Sequence, residues 1–139
     1  MKWKPNTPYL TVDGIIEIYN AKEEFEGIVL IERKNEPLGF AFPGGFVDVG
    51  ESVEEALKRE MKEETTLVVK ISSLLGVYSD PKRDKRFHTV SIVYVCKAYG
   101  LPKGEDDAKN AFTCKLENID KTSLVFDHLQ ILEDYLSRK

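Results

Sequence analysis

One stretch among strand-forming segments reads as a helix: SVEEALKREMKEET, Ser52 to Thr65. Its apolar residues Val53, Ala56, Leu57 and Met61 fall on one face at helical spacing. Ser52, with Glu55 completing the pattern, starts it as a capping box. An amphipathic helix in such company must bury its apolar face against a sheet. The segments around it supply one. YLTVDGIIEIY (Tyr9 to Tyr19) is rich in β-branched and aromatic residues, and EGIVLIER (Glu26 to Arg33) is its neighbour across a charged hairpin. KNEPLG is a turn, and FAF is a short strand leading into Pro43-Gly44-Gly45. LVVKISSLLGVYSD and HTVSIVYVCKAYG are two further strand regions joined by the charged PKRDKR loop. After the polar, turn-rich LPKGEDDAKN, AFTCKL forms a short strand. SLVFDHLQILEDYLSRK, with Leu124, Leu129, Leu132 and Leu136 near helical spacing, closes the chain as an amphipathic helix. The chain shows no repeat, low-complexity tract or linker. The expectation is a single α/β domain over residues 1–139, with a mixed sheet sandwiched between helices.

Composition narrows the class. A chain of 139 residues, 42% hydrophobic, is long enough to bury a core. A net charge of -4 implies no large basic face, which argues against nucleic acid as a partner. No leader-like apolar segment opens the chain and no run is long enough to span a bilayer, so membrane association is not expected and a cytoplasmic location is. Cys96 and Cys114 are far apart and lack metal-ligand spacing, which suits two reduced, mostly buried thiols.

The helix carries an electrostatic problem. At roughly 100° per residue, Glu60 and Glu64 project toward its apolar sector, and Glu63 lies at the edge of that sector. Carboxylates beside apolar surface are costly unless a cation meets them. Arg59 can pair with Glu63, yet one arginine does not neutralise three glutamates. A divalent metal would, and hard oxygen ligands of this kind suit magnesium or manganese bridging to substrate phosphates. Glu51 precedes the helix, where it can join the cluster or favour the positive helix end. Gly44, Gly45 and Gly50 allow the preceding loop to fold tightly over the helix and bring backbone carbonyls near an ion. On spacing alone, a solvated acidic face is the competing interpretation.

Gly45, five residues, Glu51, seven residues and then REMKEETTL (Arg59 to Leu67) resembles the Nudix box, the loop-helix-loop motif of the Nudix hydrolases. The resemblance implies an α/β/α sandwich and metal-dependent hydrolysis of a nucleoside diphosphate linked to another moiety, with Mg²⁺ or Mn²⁺. It implies that Glu60 and Glu64 are the principal metal ligands and that Glu63 is a further ligand or water holder. By the same likeness Arg59 orients a neighbouring carboxylate, and Gly45 offers its carbonyl to a metal. The chain departs from the motif at Thr66, where the family has a glycine. Because TTLVVKI is strongly strand-forming, the helix is expected to pass straight into a strand at Leu67 instead of closing through a left-handed residue.

Outside the box, TVDGIIEI, LIERKNEPLGFAFPGGFVD, LLGVYSDPKRDKRFHTVSIVYV and DDAKNA are similar to the ADP-ribose pyrophosphatase-like branch. Pro81, 14 residues past the box, stands near a proline of ADP-ribose-specific members. Phe87, where a glycine is typical, and Asn110, where a glutamate is common, depart from that pattern. Arg33, Lys82, Arg83, Lys85 and Arg86 are candidate holders of phosphate or ribose oxygens, with Arg33, Pro81 and Arg86 the foremost substrate contacts. His88 and His128 read as structural. In this family a loop near Glu105, Asp106 and Asp107 often brings a carboxylate to the metals, with Asp107 the leading candidate here. The proton acceptor is Glu60 or a residue of that loop. The expected activity is cleavage of ADP-ribose or a related nucleotide to AMP and ribose 5-phosphate. A triphosphate pyrophosphohydrolase is the alternative, and a non-catalytic nucleotide sensor a remoter one, since such sensors usually append a DNA-binding domain for which this length leaves no room. The expected partner is a small nucleotide, with a homodimer as the candidate assembly.

Overall fold

In a computed structural model, which describes residues 3–138, strands β1 (Tyr9–Tyr19), β2 (Phe25–Arg33), β3 (Phe40–Ala41) and β4 (Gly44–Phe46) precede helix α1 (Val53–Thr65). Strands β5 (Lys70–Tyr78), β6 (Thr89–Tyr99) and β7 (Ala108–Cys114), two short 3₁₀ turns and helix α2 (His128–Ser137) follow. All seven strands join one sheet, with the order β3-β2-β1-β6-β5 along its main path. β1 and β6 run parallel along their whole length, and the other pairings are antiparallel.

Alternation along the strands separates two cores. Val12, Ile16 and Ile18 of β1, with Cys96 and Ala98 of β6, meet Ala56, Leu57 and Met61 of α1. Ile15 of β1, with Val93 and Val95 of β6, meets Ile131, Leu132 and Tyr135 of α2. The two helices therefore cover opposite faces, giving the expected sandwich. Gly14 lets α1 approach closely, because a β-carbon there would lie 2.6 Å from Met61 Sδ. Both cysteines are free, and Cys96 is buried with its thiol pushed up to about 12 by that burial.

One edge of β1 is divided between two partners. Thr11–Asp13 pair with β4, whereas Glu17–Tyr19 pair with β2. Between these pairings the Gly14 N–H donates to the Pro43 carbonyl at 2.9 Å. The fork brings Gly44 and Gly45 onto the start of β1, so these glycines form a short strand and not only a loop.

Three expectations need correction. Thr66 does not pass straight into a strand: it caps α1 at φ 66 and ψ 1, and its N–H donates to Lys62 O. β5 begins at Lys70, after the left-handed turn has redirected the chain. The terminal helix starts at His128, so Leu124 lies outside it, bridged to Phe40, and Leu129 is exposed. A 3₁₀ turn at Lys121–Ser123 and the positive φ of Phe126 interrupt any earlier helix.

Candidate active site

The capping box of α1 is formed as expected, with Ser52 accepting from the Glu55 N–H and Glu55 accepting from the Ser52 N–H. The helix start is thereby fixed, and with it the directions of the glutamates two turns later. Glu64 is buried, and its Oε1 accepts the Gly44 N–H at 2.7 Å. Burial pushes the Glu64 carboxyl up to about 8; the Gly44 bond opposes this, and the nearby Glu60, Asp13 and Asp107 reinforce it. Glu60 is raised in the same direction, chiefly by burial, against the pull of Arg59. A β-carbon on Gly45 would fall within the Glu60 carboxylate, so only glycine allows that approach.

Arg59 ties the loop to the helix. It binds Glu51 through Nε and Nη2 at 2.6 and 2.8 Å, Glu60 at 2.6 Å and Glu63 at 3.2 Å, and it donates to Phe46 O at 3.0 Å. The Glu51 carboxyl is accordingly held down at about 2, mainly by Arg59. Glu51 thus serves Arg59 and the loop backbone.

Glu60 and Glu64 face a cavity of about 310 Å³ that Asp13, Asp48, Asp84 and Asp107 also line, together with Arg33, Arg83 and Arg86. Glu63 does not line it; its half-exposed carboxylate lies on the outer side, against Arg59. Pro81 is exposed and also lies outside the cavity, so the structure gives this proline no place at the wall. Of the acidic loop only Asp107 reaches the wall, while Glu105 faces the groove beside Lys62 and Glu63. Backbone bonds dock that loop on the end of α1: Lys103 N–H donates to Thr65 O and Glu105 N–H to Glu64 O, at 2.9 and 3.1 Å. They occupy carbonyls that a helix end leaves without partners.

The floor is a buried polar network. Asp13 accepts from the Ser91 hydroxyl, and burial raises its carboxyl to about 7. His128 Nδ1 accepts the Phe42 N–H at 3.0 Å, so its proton resides on Nε2, which lies 3.8 Å from Asp13 Oδ1. Burial drives the imidazole down to about 3 and keeps it neutral. Arg83, buried, grips both oxygens of Asp127 at 2.7 and 2.9 Å and the Thr89 hydroxyl at 2.7 Å, which seats the start of α2. Sequence reasoning missed Asp13, Asp84 and Phe126 at this wall and assigned His128 only to structure. The single available signal was Asp13, an acid in the middle of a mostly apolar strand.

The donor set suits a hard divalent ion. Among the described residues no three acidic, histidine or cysteine side chains form a closed cage. Glu60 and Glu64 instead present carboxylates of elevated pKa to an open cavity, and an ion such as Mg²⁺ generally keeps waters and accepts phosphate oxygens in such a place.

A mixed sheet between two helices, with an arginine-locked loop laying glycines on an acidic helix, defines a particular class of protein. A NUDIX domain model matches residues 8–135. The chain is 51% identical over 135 residues to an ADP-ribose pyrophosphatase of Methanocaldococcus jannaschii, across 95% of this chain and 75% of that protein. It is 46% identical over 65 residues to a Bacillus subtilis protein described as a putative 8-oxo-dGTP diphosphatase, across 47% of this chain and 43% of the other. The NUDIX domain of Shewanella oneidensis NrtR, solved in complex with ADP ribose, superposes with a TM-score of 0.82 at 26% identity, across 99% of this chain and 94% of that one. The chain belongs to the Nudix family of hydrolases.

Proposed function

We propose that the chain hydrolyses the pyrophosphate bond of ADP-ribose or a related nucleoside diphosphate derivative, releasing AMP and ribose 5-phosphate. The observation that carries this reading is the 51% identity to an ADP-ribose pyrophosphatase along 95% of the chain. The cavity supports it, since carboxylates and arginines gathered around one cavity suit a metal-bound diphosphate.

Glu60, Glu64 and the Gly45 carbonyl would hold the metal, Mg²⁺ or Mn²⁺, with Glu63 as an outer-side contributor through Arg59. Bound there, such an ion would supply neutralisation of charge on the phosphoryl oxygens and a lowered pKa for an attacking water. Arg59 keeps Glu60 and the Gly45 loop in register. Arg33 and Arg86 receive phosphate oxygens as charge-assisted donors. Asp107 takes the proton of the attacking water, and Glu60 is the alternative acceptor. Pro81 contributes through the shape of its loop, not by contact.

Among the described residues no helix is long and apolar enough to cross a membrane. We place the protein in the cytoplasm as a single domain over residues 1–139, which is supported by a family match spanning 8–135 and by two cores sharing one sheet. The exposed aromatic cluster of Tyr9, Phe46 and Phe87 is the surface we assign to a homodimer. Sedimentation of the wild type against Phe46→Ser measures that assignment.

The partial likeness to the Bacillus subtilis protein favours a second reading, pyrophosphohydrolysis of a nucleoside triphosphate. Product analysis separates the two. Equimolar AMP and ribose 5-phosphate formed from ADP-ribose, only with Mg²⁺ or Mn²⁺ present, is the expected result. Intact ADP-ribose after prolonged incubation with either metal would overturn the first reading.

A further inference from the structure

Phe126 stands just before α2 at φ 58, in the left-handed region where glycine or asparagine is at ease and a bulky side chain is strained. It is half-buried and lines the cavity. Two guanidiniums lie over its ring, Arg33 at 5.0 Å and Arg86 at 5.4 Å from the centroid. Like charges gathered on one ring repel and need compensation. Arg86 has it, from Asp84 at 2.9 Å and from the Phe87 ring at 5.1 Å. Arg33 has much less: its guanidinium donates to the carbonyls of Pro37 and Glu36 at 2.8 and 3.4 Å, and among the described residues no carboxylate pairs with it. Burial, and then Arg86, draws its pKa down.

A half-buried cation sharing its cavity with six carboxylates would gain by swinging onto one of them. That collapse would fill the cavity and neutralise acids needed for a metal. An aromatic face offers a competing resting place for a guanidinium. Strain retained where glycine or asparagine would relieve it points to a use for the ring itself.

We propose that Phe126 is a positioning residue, whose ring holds Arg33 and Arg86 away from Glu64 and Asp107 so that both guanidiniums stay available to the phosphate oxygens of a diphosphate ester. The proposal rests on the diphosphate-hydrolase reading of the same site. Phe126→Asn and Phe126→Gly both tolerate the backbone and remove the ring, whereas Phe126→Tyr keeps it. The two ring-free variants should raise KM for ADP-ribose roughly tenfold with kcat within about threefold, and Phe126→Tyr should restore the wild-type KM. Calorimetric titration with inorganic pyrophosphate in metal-free buffer should show a comparable loss of affinity in both. A purely structural ring would leave KM and pyrophosphate affinity within about twofold of wild type, which would overturn the proposal. Unfolding of both ring-free variants, or wild-type protein that binds no pyrophosphate, would overturn it as well. Should the wild type leave ADP-ribose intact, the substrate reading fails, and the pyrophosphate titration alone still decides the role of the ring.

Discussion

Thr66 closes α1 in a left-handed conformation that a β-branched residue enters at a cost on the order of 1–3 kcal/mol. Glycine would rest there without strain, although it also loosens the unfolded chain by about 0.4–1 kcal/mol. Thr66→Gly should therefore stabilise the protein by about 1 kcal/mol, a Tm rise of roughly 3 °C. A neutral or lowered Tm would show that the strain is absent. Two turns earlier, Glu60→Gln and Glu64→Gln keep shape and remove charge. If these residues hold the metal, each should lower kcat by roughly 10²-fold while metal-free stability holds or rises. Near-normal turnover of both at saturating Mg²⁺ would contradict the ligand assignment. The direction of Glu64 was legible in the sequence because helical spacing alone puts it among apolar residues. The left-handed Thr66 was not, because local strand propensity pointed the other way. The hydrogen bond from its N–H to Lys62 and the loop docked on the helix end override that propensity.

Elements decide which acids meet. The loop before β7 is pinned by its backbone to the last turn of α1, and this turns Asp107 to the cavity and Glu105 away from it. Asp107→Asn should lower kcat at least tenfold with metal affinity nearly unchanged, while Glu105→Gln should stay within about threefold of wild type. If Asp107→Asn also stays within that limit, Glu60 is the better proton acceptor. Most elements could be read from periodicity: β1 spans Tyr9–Tyr19 as expected, and α1 carries its expected cap. The start of α2 could not. Its apolar spacing continues back to Leu124, whereas the real start depends on the Arg83–Asp127 pair and on the strained Phe126, contacts between segments far apart in the chain. Pro81 shows the same limit, since a motif-like position gave no information on which side of its loop would face inward.

At the scale of the molecule, the divided edge of β1 creates the site by gathering acids from β1, α1 and three loops around one cavity. Their burial has a consequence for stability. Without metal, Glu64 at about 8 and Asp13 at about 7 retain protons in the folded state that the unfolded chain, at 4.5 and 3.8, has already released. Stability should therefore fall as pH rises through that window. His128 acts in the opposite sense. Its pKa of about 3, against an ordinary 6.5, makes its contribution grow as pH rises toward 6.5 and remain constant above it. Between about pH 6.5 and 8 the acids act without that opposition, so the metal-free Tm should decline, and Glu64→Gln should remove most of the decline. A level or rising Tm across the interval would contradict the account of the buried acids. The central claim concerns the reaction, and kcat/KM for ADP-ribose set against nucleoside triphosphates, each with saturating Mg²⁺, tests it most directly. The account predicts that ADP-ribose is the better substrate; triphosphates cleaved at least about tenfold more efficiently, a difference of roughly 1.4 kcal/mol in transition-state stabilisation, would contradict it.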